Sequence, residues 1–476
     1  MTVVSQEIMN KLFNVGGKIE YCYECGICVA SCPMTQLTSN LYNPRNLLEK
    51  ILFNPFEASK MVEPWLCAWC YRCYSRCFQS LRVPEILLAI KSFAVEKGYL
   101  NGFEKALGII KEKIPLPLTC LYVCFHPERA GIDNTIIQEK TKYLASKYDE
   151  IEPKRTFNEK VAVIGSGPAG LTAAYELAMK GYAVTVFESM PEPGGMLRKC
   201  IPSYRMPKDV LDMEIDGIKK LGVEIKTNFT VGKDLKFDDI WKDGYKAVFI
   251  ATGAHKSRKI GVEGESLNGV FDALDFLWRI NRGEIVELGD KVAVIGGGNV
   301  AIDSAKTALE CGAREVVILY RRSREEMPAN PWEVKEAEES GVKIEFLVSP
   351  KRFIGEDGRV KAVECVRMSL GEPDETGRRR PIPVEGSEFI MDFDSVILAI
   401  GERPDLSFLP ENIKTVNGLI WVNPFTMETS LSGVFAGGDV VTGPASVIEA
   451  ILAGKEAAES IHRSLREKAG GLRSEW

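Results

Sequence analysis

Two stretches of the chain share one hydrophobic signature. KVAVIGSGPAGLTAAYELAMKGYAVTVFE, from Lys160, and KVAVIGGGNVAIDSAKTALECGAREVVILYRR, from Lys291, each open on a short apolar run and pass through a glycine turn. Both then continue with apolar residues at helical spacing and end in a second apolar run. Apolar runs of this length without alternation fit strands covered on both faces, and such strand–turn–helix–strand units build parallel sheets. Ahead of them the period changes. NPRNLLEKILFNPFEASKMVE and VPEILLAIKSFAVEKG place apolar residues at helical intervals, the second with Pro84 near its start and Gly98 at its end. NGFEKALGIIKEKIPLPLTC reads as helix up to Pro115 and Pro117, and the polar stretch over 128–160 reads as a linker carrying one helix.

The helical amino-terminal part holds two copies of one cysteine pattern: Cys22, Cys25, Cys28 and Cys32, then Cys67, Cys70, Cys73 and Cys77. Each is C-x2-C-x2-C-x3-C, the spacing that wraps a [4Fe–4S] cubane. Three closely spaced thiolates reach three irons of one cluster, and the fourth, a helical turn further on, typically reaches the other. The expected ligand sets are therefore crossed: Cys22, Cys25, Cys28 and Cys77 on one cluster, Cys67, Cys70, Cys73 and Cys32 on the other. Disulfides would suit a secreted chain, but no signal peptide precedes the cysteines. Zinc knuckles would leave the third and fourth cysteine of each run without a role.

Composition narrows the chemistry. The 476 residues, 45% hydrophobic, suffice for two to four domains with proper cores. A net charge of −6 gives no electrostatic footprint for nucleic acid, and no apolar run approaches the roughly 20 residues of a membrane span. Thirteen cysteines without an export signal point to a reducing cytoplasm. Three histidines leave little room for histidine-based catalysis, so bound redox groups are expected to carry the reaction and no catalytic side chain is singled out.

In the first glycine unit Gly165, Gly167 and Gly170 form G-x-G-x-x-G directly after a strand, and Glu188 ends the next strand, where a carboxylate meets a ribose hydroxyl. The helix N-terminus offers its positive end to a pyrophosphate. In the second, Gly296, Gly298 and Ala301, with Asn299 between them, form G-x-G-x-x-A, and the strand ends on Arg321 and Arg322 where an NAD site would carry an acid. Two guanidinium groups there would pair with a ribose 2′-phosphate, which predicts NADP(H) over NAD.

Further segments carry a resemblance. Ala251-Thr252-Gly253 after the strand AVFI, and Gly437-Gly438-Asp439 after GVFA, look like the later FAD segments of pyridine-nucleotide–disulfide oxidoreductase-type flavoproteins. PGGMLRKCIPSYRMPKDVL at 193–211 (with Gly195), YRRSREEMPA at 320–329, AIGERPDLSFL at 399–409 and FAGGDVVTGPASVIEAILAGKEAA at 435–458 extend it. From about Gly102 onward the chain resembles the small subunit of bacterial glutamate synthase and the large subunit of NADH-dependent ferredoxin:NADP oxidoreductase. The first hundred residues resemble the iron–sulfur subunit of heterodisulfide reductases, an α-helical ferredoxin. The resemblance implies FAD held by Gly195, Thr252, Gly253, Gly438 and Asp439 as well as by the first glycine loop, with Asp439 towards the ribityl–phosphate end. It also implies hydride exchange with NADP(H) and single-electron exchange with the clusters.

There are departures. Only Cys120 and Cys124 remain of the family's later cysteines, and they read as vestigial or as borrowed ligands. Cys200 stands where the family has glycine and lacks a partner for a redox disulfide, so it reads as a packed thiol near the flavin. Cys311 and Cys365 read as core residues. Phe78 follows the last cysteine, where related domains often carry proline.

The expected architecture is an α-helical two-cluster ferredoxin domain over 1–100 and a helical connector over 101–157. An α/β flavoprotein with two Rossmann-type domains follows, FAD-binding over 158–285 and 395–476 and NADP(H)-binding over 286–394. The expected function is that of an electron-transfer subunit linking NADP(H), FAD and two [4Fe–4S] clusters to other subunits of a redox complex. The leading version is a flavin-based bifurcating complex of an anaerobe with ferredoxin as a partner. The alternative is a subunit feeding one acceptor enzyme, such as a glutamate synthase or a pyrimidine dehydrogenase. A third possibility, a scaffold that only holds clusters, is disfavoured by the intact nucleotide motifs.

Overall fold

A computed structural model describes residues 3–15, 18–152, 155–374 and 377–470. The chain divides into two compact units, one of 1–195, 205–253 and 406–476, the other of 196–204 and 254–405.

The first unit is built on a five-stranded parallel sheet in the order Val434–Ala436, Tyr245–Ile250, Lys160–Ile164, Ala183–Phe187, Glu224–Lys226. Val161, Val163, Val248 and Phe249 are all fully buried, as expected for strands covered on both faces. The helix Pro168–Met179, with proline in its first turn, packs along the 24-residue helix Val447–Gly470.

The amino-terminal cysteine segment belongs to this same unit and is helical throughout. Asn43 and Asn54 cap Pro44–Phe53 and Pro55–Ala58 by accepting from the backbone N–H three residues on. The spine is Val83–Glu96, buried along most of its length. It ends as the sequence suggests, with Gly98 at φ +73° and Tyr99 N–H donating to the Ala94 carbonyl at 2.8 Å.

The stretch after it is more tightly built than a linker. Lys147 is buried and donates to the Ile114 carbonyl at 2.7 Å, and Tyr148 OH donates to the Pro115 carbonyl at 3.1 Å. The buried carboxylate of Glu214 accepts from the N–H groups of Leu118 and Thr119 at 2.7 and 2.9 Å. Those contacts anchor a short π-helical turn, Cys120–Phe125, on the flavoprotein sheet's own helical layer.

The second unit repeats the design: a parallel sheet in the order Val270–Asp272, Ser395–Leu398, Lys291–Ile295, Glu315–Tyr320, Lys343–Phe346. An antiparallel sheet of Val348–Glu356, Arg359–Pro373, Arg379–Pro383 and Phe389–Asp392 is attached to it. This corrects the expected boundaries at 286 and 394. Val270–Asp272 and Ser395–Leu398 hydrogen-bond into the second sheet, so 254–285 and 395–405 belong there. The edge strand precedes its own glycine fingerprint in the chain, which no local motif announces.

Candidate cluster-binding and dinucleotide-binding sites

The two cysteine runs fold alike, 45 positions apart (Cys22 and Cys67). Each first cysteine closes a 3-10 turn in extended conformation, Cys22 at φ −66°, ψ 122° and Cys67 at φ −74°, ψ 119°. The residues flanking the second cysteine are left-handed in both, Glu24 and Gly26 in one, Trp69 and Tyr71 in the other. One-turn helices follow, Ile27–Ala30 and Arg72–Ser75, and they pack together. Left-handed backbone at a tryptophan and a tyrosine is costly and persists only where the surroundings over-determine it, as at ligand clamps.

The thiols fall into two groups. Cys28 lies within electrostatic reach of Cys22 and Cys25. Cys73 lies within reach of Cys67, Cys70 and Cys32 and, more weakly, of Cys28 from the first group, and Cys32 acts on Cys70 as well. The fourth cysteine of the first run therefore sits among the first three of the second. Cys77 is half-buried just beyond Arg72–Ser75. Burial, with a smaller contribution from neighbouring sulfurs, pushes the Cys70 thiol up to about 12 and the Cys28 thiol up to about 11. Such a group becomes thiolate only with cationic metal among the sulfurs.

A single ion does not fit. Among the described residues no three His, Cys, Asp or Glu side chains converge tightly enough to grip one, and zinc would need sulfurs about 2.3 Å from it. No disulfide joins any of the thirteen cysteines. The doubled C-x2-C-x2-C-x3-C donor set is the one that fits cubane clusters.

Two side chains that local reasoning missed face the inner group, the one of Cys67, Cys70, Cys73 and Cys32. Tyr42, fully buried, donates its hydroxyl to Cys67 and lies near Cys32 and Cys73. Lys91, also fully buried, acts on Cys67 from the spine helix. Tyr42 had no signal. Lys91 did, as the one cation in the apolar run VPEILLAIKSFAV. Cys124 is buried within reach of Cys70, and Cys120 is hydrogen-bonded to Cys124.

The first glycine loop has the shape a pyrophosphate requires. Gly165, at φ +102°, would place a Cβ 2.5 Å from the Ala251 carbonyl oxygen, and a Cβ on Gly170 would meet the Gly165 carbonyl. A Cβ on Gly167 would meet nothing within 4 Å, so that position faces an open cradle at the start of Pro168–Met179. Gly195 closes against Gly167, where a Cβ would lie 2.7 Å from its Cα. Thr252, beside this loop, has a buried hydroxyl oxygen without a hydrogen-bond partner, next to Gly253 at φ +65°. Gly438, at φ +75°, leads into Asp439, which starts a short helix and accepts from Ala445 N–H. Glu188 is buried and already holds the loop: Ser166 donates to it through N–H and hydroxyl, and Met190 N–H donates at 2.8 Å. An adenosine-bearing cofactor fits these residues.

The second loop has Gly296 at φ +143°, packed on the Ala399 carbonyl, Gly298 facing open space, and Ala301 fully buried at the helix–strand contact. Asn299 accepts from Asn330 N–H at 2.9 Å.

At the end of Glu315–Tyr320 the two arginines part company. Arg321 is exposed. Arg322 is buried, its Nε donating to the Arg379 carbonyl and its terminal nitrogen to Asp374, both at 2.7 Å. Arg322 thus ties the antiparallel sheet to the strand end. The side-chain partner of Arg322 lies 52 residues away in sequence, so the two expected arginines have different surroundings. Partial desolvation lowers the affinity of Arg321 for its proton, and the adjacent Arg322 and Arg378 act in the same direction. Arg378 is a further basic group acting on Arg321 at this end. The run GRRR at 377–380 signalled it, without saying which strand end it would reach.

Cys200 is buried in the core of the second unit, the packed thiol the sequence led to expect. Cys365 is fully buried, whereas Cys311 is exposed, contrary to expectation, because it caps the helix Asn299–Glu310 at a surface turn.

Glycine loops on two parallel sheets, with a helical cysteine cradle in the same chain, define a flavoprotein class that exchanges electrons with pyridine nucleotides. The sequence matches the pyridine nucleotide-disulphide oxidoreductase family over 159–454 and a 4Fe-4S dicluster domain over 18–81. The chain belongs to the pyridine nucleotide-disulphide oxidoreductases. It is 43% identical to the beta subunit of an NADP(+)-dependent formate dehydrogenase of Moorella thermoacetica, over 83% of this chain and 60% of that one. It is 42% identical to the beta subunit of an NADPH-Fe(3+) oxidoreductase of Geobacter sulfurreducens, over 83% and 64%. The glutamate synthase [NADPH] small chain of Azospirillum brasilense is 39% identical over 67% of this chain and 69% of its own length.

The chain thus spans a little over six tenths of the first two relatives. In fold it resembles FprA of Mycobacterium tuberculosis (TM-score 0.56, 21% identity, 66% of this chain and 86% of that one). It also resembles the thioredoxin reductase of T. acidophilum (TM-score 0.52, 22% identity, 65% and 100%). No described helix is long and apolar enough to cross a membrane.

Proposed function

We propose that this chain is the electron-transfer subunit of a larger oxidoreductase, moving electrons between NADP(H), a bound FAD and two [4Fe–4S] clusters. The observation that carries the reading is the coexistence in one chain of two open glycine cradles, at Gly167 and Gly298, with the doubled cysteine fold. The beta-subunit and small-chain names of the relatives support assignment to a complex.

FAD supplies the ability to take a hydride as a pair of electrons and to return them singly. The residues do the holding. Gly165–Gly170 and the start of Pro168–Met179 bind its pyrophosphate, Glu188 shapes that loop and orients the ribose, and Asp439 serves the ribityl–phosphate end. Gly296–Ala301 binds the second dinucleotide, and Arg321 with Arg378 receives the 2′-phosphate. Cys22, Cys25, Cys28 and Cys77 hold one cluster, and Cys67, Cys70, Cys73 and Cys32 the other.

The relatives' names each join NADP(H) to a single other reactant, formate, Fe(3+) or the glutamate synthase reaction. That favours a single acceptor over bifurcation with ferredoxin. The test is anaerobic titration of the purified complex with NADPH. Bound FAD and about eight irons per chain, with NADPH bleaching both chromophores, are expected. Absence of flavin, or bleaching by NADH alone, would refute the reading. NADPH oxidation that proceeds only with ferredoxin and a second acceptor present together would restore the bifurcating version.

A further inference from the structure

Helix Val83–Glu96 buries a lysine at its centre. Lys91 is 1% exposed, and its ammonium has no hydrogen-bond partner. It lies 5.7 Å from the centroid of the Trp65 ring. Trp65 is in the 3-10 turn Glu63–Leu66, which packs on the helix and delivers the chain directly to Cys67. The described anionic groups acting on Lys91 are Cys67 and Glu128, and Glu128 is already engaged by His126 Nδ1 at 3.1 Å. Burial lowers the Lys91 pKa to about 8, and Cys67 opposes that fall.

An ammonium taken out of water costs several kcal/mol unless an anion answers it. A ring face answers only part of that. The cysteine group beside Lys91 would supply the rest. A cubane with four thiolate ligands is a dianion, and it becomes a trianion on accepting one electron, with no proton taken up. Lys91 therefore gains more from the reduced form than from the oxidised one. Tyr42 acts in the same sense, since its hydroxyl hydrogen-bonds the Cys67 sulfur and strengthens as charge on that sulfur grows.

We propose that Lys91, assisted by Tyr42, is a positioning charge that raises the reduction potential of the inner cluster, the one held by Cys67, Cys70, Cys73 and Cys32. Burial alone would drive that potential down, because a low-dielectric surrounding disfavours the trianion. The other run presents Cys25 to solvent, where water answers the added charge. The inner run is also tied to the flavoprotein part: Arg72, one residue before Cys73, pairs with Glu449 on the helix Val447–Gly470. Lys91 thereby keeps the cluster nearest that helix within reach of electrons from the flavin.

This inference rests on the two-cluster reading, and the test separates the two. Anaerobic redox titration of the full chain, followed by electron paramagnetic resonance, reads each cluster's potential without turnover. Lys91→Met should lower the inner potential by at least about tenfold in the reduction equilibrium, about 59 mV for one electron, and leave the outer one in place. Lys91→Arg, which keeps the charge, should stay close to wild type, and Tyr42→Phe should shift the inner cluster by less than Lys91→Met, in the same direction. Lys91→Gln serves as the neutral variant if methionine is not tolerated. Unchanged potentials in the neutral variant with full iron content, or an equal shift in Lys91→Arg, would overturn the role of Lys91. A wild-type protein with no cubane signal after reconstitution would overturn the cluster reading itself, and the inference with it.

Discussion

The sharpest test of the nucleotide site contrasts two neighbouring arginines. Arg321 is exposed at the end of its strand, while the Arg322 side chain is 6% exposed and paired with Asp374 at 23%. Removing Arg321 deletes a charge-assisted contact to the 2′-phosphate, worth about 1.5–3 kcal/mol. Arg321→Ala should therefore weaken NADPH by about 10- to 150-fold and leave NADH nearly unaffected. Arg322→Ala removes a buried guanidinium from Asp374 and from the Arg379 carbonyl, loosening the 374–379 segment from the strand end. Losing this partly buried, charge-assisted pair costs about 1.5–3 kcal/mol, felt in folding stability and in the shape of the whole strand end. It should lower the melting temperature and weaken both nucleotides alike. The assay is anaerobic stopped-flow reduction of the bound flavin against nucleotide concentration, with thermal unfolding measured in parallel. If Arg322→Ala lost only NADPH affinity at undiminished stability, the strut assignment would be wrong. If Arg321→Ala weakened NADPH and NADH equally, the 2′-phosphate would be read elsewhere.

The remaining predictions concern the cradles and one buried acid. Cys22→Ala and Cys32→Ala should each remove a different cluster, so the double variant should lose both electron paramagnetic resonance signals; one intact signal in the double variant would show that ligation is not crossed. Gly167→Ala should leave the fold intact and deplete FAD, because its methyl group fills open space, whereas Gly170→Ala should destabilise the fold by collision with the Gly165 carbonyl. Full flavin occupancy in folded Gly167→Ala would place the pyrophosphate elsewhere. Burial raises Glu214 from 4.5 to about 7 despite its hydrogen bonds to Thr119 and Leu118. The folded state then binds the proton more tightly than the unfolded one, so this group's contribution is fully present below about pH 4.5 and is lost as pH rises through about 7, by about 3 kcal/mol in all. Unfolding followed between pH 4.5 and 8 should show that slope in the wild type and not in Glu214→Gln; parallel profiles would contradict it.

The chemistry of this protein is carried by local patterns, and those were legible in the sequence. Cysteine spacing, glycine spacing after an apolar strand and proline or glycine at helix ends act within one or two turns of chain, where geometry follows from residue order. Helix Val83–Glu96 with Gly98 beyond it and the strands Lys160–Ile164 and Lys291–Ile295 appear where the patterns put them. What the tertiary structure decided are pairings between distant segments. Val270–Asp272 joins a sheet whose fingerprint comes later in the chain. Arg322 is claimed by Asp374, so that two adjacent and chemically identical residues meet different surroundings. Cys32 lies among thiols of the second run, Lys147 is locked into what reads as a linker, and Lys91 meets Cys67 across a helix-to-turn contact. Burial and long-range neighbours set the charge and availability of a side chain, and both depend on what the rest of the chain brings to it. A motif specifies which atoms a site has, and packing determines which of them remain free to act.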